Sequence, residues 1–134
     1  MTDLSARQAA ASRQGREFEQ AVETWLKVNG HQIVNRRWVH PEAKVEIDFV
    51  THQSQHGVVW VEACGSYESN RNGLERTDTL LKKLVSATVL RQCGLLCNYW
   101  LVASHPPRPG SAGEAWMALA GHLFDRVRYF REES

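Results

Sequence analysis

Val45-Glu46-Ile47-Asp48-Phe49-Val50 and, after a polar turn, Val58-Val59-Trp60-Val61-Glu62-Ala63-Cys64 form the stretch on which the fold is decided. The first segment alternates, so Val45, Ile47 and Phe49 are expected on one side and Glu46, Asp48 and Val50 on the other. The second is apolar from Val58 to Val61, the pattern of a central strand covered on both faces. The polar run Thr51 to Gly57 between them predicts a β-hairpin. A turn centred on Gln55 sets Asp48 opposite Glu62 and Glu46 opposite Cys64. Side chains so opposed lie roughly 5 Å apart, where like charges destabilise. A divalent cation is the commonest reason for holding two acids that close at a buried strand end.

Outward from the hairpin the other elements follow in order. Phe18, Val22, Trp25 and Leu26 mark a helix over 8–28 that stops at Asn29-Gly30. His31 to Val39 reads as the first strand. Ser66 to Gly73 is a polar loop, after which Thr77-Asp78-Thr79 can cap a second helix whose apolar stripe is Leu80, Leu81, Leu84, Val85 and Val89. That helix stops near Cys93-Gly94. Leu95 to Ala103 is a fourth strand, followed by a breaker-rich loop from His105 to Gly110. Ala112 to His122 reads as a third helix and Arg126 to Phe130 as a short closing strand or tail. The class is α/β, an αβββαβ core with a mixed sheet flanked by helices. The unit from Val58 to Ala103 implies parallel pairing through a right-handed crossover. Without repeats or low-complexity tracts, residues 1–134 read as a single domain.

A hydrophobic share of 43% and five tryptophans indicate an ordered globular chain. Lys plus Arg number 16 against 15 for Asp plus Glu, so any attraction for nucleic acid must come from a local patch. The N-terminus lacks the apolar run of a signal peptide, and no stretch is long enough to span a bilayer. Three cysteines without framework spacing fit a reducing, cytoplasmic setting. Cys93-x₃-Cys97 straddles a helix stop and His52-x₃-His56 lies in a turn, so neither makes a zinc pattern.

Gly15-Arg16-Glu17-Phe18-Glu19 on the first helix, Glu46-Ile47-Asp48 on the second strand and Glu62-Ala63-Cys64-Gly65-Ser66 on the third are three short motifs in order. From about Gly15 to His105 the chain resembles the PD-(D/E)xK nuclease superfamily, with its restriction-endonuclease-like fold. The resemblance implies a metal-dependent DNA endonuclease in which Glu19, Asp48 and Glu62 hold one or two Mg²⁺ ions, with Mn²⁺ as a substitute. It departs at Cys64, where the family has a lysine that orients the attacking water and stabilises charge on the phosphate. A thiol is no permanent cation.

Carboxylate oxygens suit Mg²⁺, which keeps several waters. Glu62 and Cys64, two residues apart on a strand, project from one face. A one-residue slip in register would instead turn one acid to solvent. Glu23 rivals Glu19, being four residues further along the same helix face. Lys82 and Lys83, at the start of the second helix, are the candidates for a displaced lysine, with Lys44 before the second strand as another. Ordinary surface lysines are the competing account. Cys64 would soften the site toward Zn²⁺ or Mn²⁺, or be an inert buried thiol. Arg36 and Arg37 beside Trp38, and Arg71 and Arg76 around the loop after strand three, are the candidate phosphate contacts with DNA. An ordinary charged surface with Trp38 in the core is the competing account. A homodimer suits an enzyme that cuts both strands of a duplex. The second functional class is a catalytically lapsed nuclease fold kept for nucleic-acid binding or assembly, and Cys64 is its motivation.

Overall fold

The computed structural model describes residues 3–65, 73–95 and 97–129, with side chains from residue 16 onward. Three α-helices, α1 (Asp3–Val28), α2 (Thr77–Gln92) and α3 (Ala112–Ala120), accompany five strands: β1 (Gln32–Val39), β2 (Glu46–Gln53), β3 (Gly57–Cys64), β4 (Asn98–Ala103) and β5 (Arg126–Tyr129). The strands form one sheet in the order β1-β2-β3-β4-β5. The first three pair antiparallel and the last three parallel, so the sheet is mixed. No helix among the described residues is long and apolar enough to cross a membrane.

Each face of the sheet carries its own core. Phe18, Val22 and Leu26 of α1 pack on Phe49, Val59, Val61, Trp100 and Val102. Leu80, Leu84, Ala87 and Leu90 of α2 pack on the other face against Ile47, Cys64, Tyr99, Leu101 and Ala103, with Trp116 and Met117 of α3 alongside. Strand alternation along β3 and β4 distributes these residues, as period two requires. α3 begins at Ser111, whose hydroxyl accepts from Glu114 N at 3.2 Å, and the Glu114 carboxylate accepts from Gly110 N at 3.1 Å. Together they satisfy donors that a helix start leaves open.

The β2–β3 register runs from Phe49 opposite Val61 to Gln53 opposite Gly57. This is the register of a turn centred on Gln55. The alternation expected along β2, however, fails at Asp48. Ile47 packs in the α2-side core, whereas Phe49, two residues on, packs in the α1-side core. Arg37, the residue between the Trp38–Ile47 and Arg36–Phe49 pairs, has φ 53°. A non-glycine residue in that region distorts the ladder, and the twist reverses the facing of both strands at this level.

Two further expectations about α2 change. Its N-cap is Arg76 in extended conformation, with no side-chain cap from the Thr77-Asp78-Thr79 run. The buried row is Leu80, Leu84, Ala87 and Leu90, while Leu81 and Val85 are exposed. The helix is thus rotated by about one residue from the predicted stripe. Lys83, three residues after Leu80 and four before Ala87, falls on the buried row.

Candidate active site

Beyond the Phe49–Val61 pair the two carboxylates take over from the backbone ladder. Asp48 Oδ2 accepts from Ala63 N at 2.8 Å, and Glu62 Oε1 accepts from Asp48 N at 3.4 Å. Between the acids stands Lys83, whose Nζ donates to Glu62 Oε2 at 2.7 Å and to Asp48 Oδ2 at 3.4 Å. The like charges opposed across the hairpin are therefore bridged by an ammonium that α2 delivers onto the sheet. Glu62 is only 2% exposed and Lys83 19%, so the three groups form a nearly buried ionic cluster.

Burial pushes the Glu62 carboxyl up to about 7, against the opposing pull of the Lys83 charge. For Lys83 burial works against the ammonium, but the charges of Glu62 and Asp48 outweigh it and hold the amine above the ordinary lysine range. Lys83 is therefore a permanent cation at neutral pH. Cys64, 6% exposed on the same face, has its thiol pushed up to about 11, first by burial. It stays a neutral thiol, neither a cation nor a soft thiolate ligand.

A cavity of about 250 Å³ opens in front of this cluster, lined among others by Glu19, Asp48, Cys64, Arg76, Thr79 and Lys83. Gly65 allows α1 to come this close: a Cβ there would lie 2.6 Å from the Phe18 ring. A second cavity, lined by Glu19, Glu23, Arg36, Arg37 and Asp48, adjoins the other side of Glu19 and Asp48. Glu19 faces Arg37 at 3.1 Å, and Glu23 forms a two-pronged ion pair with Arg36. The Arg36 guanidinium draws the Glu23 carboxyl down to about 2.

The expected residues thus fall into two groups. Asp48, Glu62, Lys83 and Cys64 come together, with Glu19 and Arg76 on the rim of the same cavity. Lys82 is exposed on α2 and Lys44 is exposed in the β1–β2 turn. Arg36 and Arg37 are occupied by the glutamates of α1. Arg71 lies outside the described residues. Sequence reasoning missed Thr79 and Tyr99. The Tyr99 hydroxyl is buried without a hydrogen-bond partner among the described residues, and burial with the Glu62 charge holds it protonated.

Among the described residues no three His, Cys, Asp or Glu side chains form a group that could hold a metal. The third expected carboxylate, Glu62, has each oxygen taken up, by Asp48 N and by Lys83. Asp48 Oδ1 and Glu19 Oε1 accept from no described residue, and both residues line the same cavity. Two carboxylates are a sufficient protein share for Mg²⁺, which retains waters and takes its other contacts from substrate phosphate. The chain matches no family model, no curated protein and no solved structure.

Proposed function

We propose that the chain is a metal-dependent endonuclease-like protein that hydrolyses phosphodiester bonds in DNA, built on a restriction-endonuclease-like core. The observation that carries this reading is the position of Lys83. A cation stands beside the two strand acids and at the rim of a cavity, the role left vacant by Cys64, and it comes from the helix that follows. In this reading Asp48 and Glu19 hold the ion, and Glu62 holds Lys83. Bound there, Mg²⁺ would supply Lewis-acid activation of the phosphate.

The remaining work falls to the chain itself. An ammonium has three donors. Lys83 directs two at Glu62 and Asp48, which leaves one for a phosphate oxygen in the cavity. Arg76 and Thr79 line the same space and suit the neighbouring oxygens. Hydrolysis forms a bond from water oxygen to phosphorus and breaks the bond to the leaving oxygen. Fixed positive charge next to that centre stabilises the charge that develops in between.

The test is cleavage of plasmid, linear, branched and single-stranded DNA by purified protein with Mg²⁺ or Mn²⁺. Asp48→Ala and Lys83→Met, each checked for folding by circular dichroism, are expected to lose activity by on the order of 100-fold or more. Intact DNA in every wild-type reaction would end the enzyme reading. Unreduced cleavage by Asp48→Ala would remove the assignment of the site.

A second reading has its own observation. Lys83 already compensates both acids, so the cluster is complete as a structural ion triad and fits a lapsed nuclease fold that only binds nucleic acid. DNA binding that weakens steeply with salt, with no cleavage under any metal, selects this reading.

A further inference from the structure

Each of the two carboxylates assigned to the ion is already paired with a cation of the chain. Lys83 stands 3.4 Å from Asp48, and Arg37 stands 3.1 Å from Glu19. The two cations differ in how firmly they are held. Lys83 also bonds Glu62 at 2.7 Å and is fixed between two nearly buried acids. The Arg37 side chain is 58% exposed, and Glu19 is its one ion-pair partner among the described residues. Such a pair is weak, because solvent screens it and two long side chains must be ordered to form it.

The backbone is nevertheless bent to place Arg37 there. Neighbouring residues of a strand face opposite sides, yet Arg36 and Arg37 both reach carboxylates of α1, Glu23 and Glu19. The φ of 53° at Arg37 accompanies this second arginine on the α1 side. That region is uncommon for a residue with a side chain, and such strain collects at functional sites. Arg36 already ties β1 to α1 through its two-pronged pair, so the single contact of Arg37 adds little to the docking of the helix.

Glu19 and Asp48 line both cavities, and Arg37 lines the second, of about 320 Å³, together with Arg16 and Arg36. A divalent ion held by Glu19 and Asp48 sets two positive charges beside the Arg37 guanidinium, and like charges so placed repel. Lys83 cannot withdraw without stranding its acids, which is costly. Arg37 can swing toward solvent.

We propose that Arg37 is a displaceable counter-ion of Glu19, released when the ion binds and then free to take a phosphate of DNA in the second cavity. This rests on the proposed function and names how that site is regulated. The ion frees Arg37 for the phosphate, and a phosphate that draws Arg37 away frees Glu19 for the ion. Ion and DNA therefore strengthen one another's binding.

Manganese binding, followed by electron paramagnetic resonance, tests the first half. Asparagine is at ease at positive φ, so Arg37→Asn removes the charge without new strain. It is expected to bind Mn²⁺ about three- to five-fold more tightly than wild type. Arg36→Gln, whose partner Glu23 is not assigned to the ion, is expected to stay within about two-fold of wild type. Tightening no larger in Arg37→Asn than in Arg36→Gln overturns the proposal. Uptake of Mn²⁺ by none of the three removes the metal site itself, and the counter-ion with it. Should Arg37→Asn not fold, Arg37→Gly suits the same φ and replaces it.

The second half is tested in chelator, with a labelled DNA hairpin carrying a single-stranded tail and its fluorescence anisotropy. Neutralising Glu19 stands in for the ion. Glu19→Gln is expected to bind the DNA several-fold more tightly than wild type, and the same change to gain clearly less in the Arg37→Asn background. An equal gain in both backgrounds reflects only the lost negative charge and overturns the release to phosphate. An absence of DNA binding by all four proteins overturns it too. Neither readout depends on cleavage, so both are independent of the test of enzyme activity.

Discussion

Glu62 is buried at the centre of the ionic cluster, and its protonation links the site to the stability of the chain. Its carboxyl rises from 4.5 to about 7 in the folded protein. Between those values the native state binds the proton more tightly than the unfolded state does. The stabilisation from this group is complete below 4.5 and is lost as pH rises through about 7. Lys83 acts in the same sense at higher pH: its contribution is present below the ordinary lysine range and is lost above it. Glu62→Gln lacks the titration. The melting temperature of wild type relative to Glu62→Gln is therefore expected to fall as pH rises from 4.5 to 7.5. A difference that stays constant across that window would contradict the raised carboxyl. Burial acts on Cys64 in the same direction, and its thiol, pushed up to about 11, remains protonated and chemically quiet across the whole window.

Among the elements, the hairpin was legible and the rotation of α2 was not. Hairpin register follows from a short local turn and the alternation beside it, and the pairing of Phe49 with Val61 obeys that rule. The break at Asp48 escaped it because the cause lies on another strand, in the positive φ of Arg37. α2 offers two neighbouring apolar rows, one through Leu80, Leu84 and Ala87 and one through Leu81 and Val85. Hydrophobicity alone does not choose between them. The acids of the sheet do, because the first row alone carries Lys83 to them. A lysine interrupting one apolar row was the available signal. Under the proposed function, the strand and the helix are alternative places to attach the site's lysine. We expect Lys83→Met to lose cleavage and Lys83→Met with Cys64→Lys to regain part of it, because Cys64 faces the same cavity. Cys64→Lys alone should add nothing in a plasmid-nicking assay, the position being filled. A large gain from that single change would show that Lys83 does not serve the reaction.

On the scale of the whole molecule, the sheet separates two cores that supply different parts of the site. Glu19 comes from the α1 layer and Lys83 from the α2 layer, and they meet at one cavity where β3 ends. The order of helices and strands, and the mixed sheet, could be read from hydrophobic period and turn residues. How closely each layer approaches the sheet could not, because it depends on contacts between distant residues. Gly65 is the decisive one for α1. Gly65→Ala would force the Phe18 ring and the helix away, at a cost of about 1–3 kcal/mol in urea denaturation. The same displacement carries Glu19 off the cavity, so Mn²⁺ binding measured by electron paramagnetic resonance should weaken along with it. Unchanged stability and unchanged Mn²⁺ binding would mean that the contact yields without moving α1. Lys83 has a further consequence for how the protein is made. Paired acids at a strand end would ordinarily make folding wait for a metal. Here the polypeptide brings its own counter-ion, so the acids are compensated as soon as the chain folds, with or without a metal.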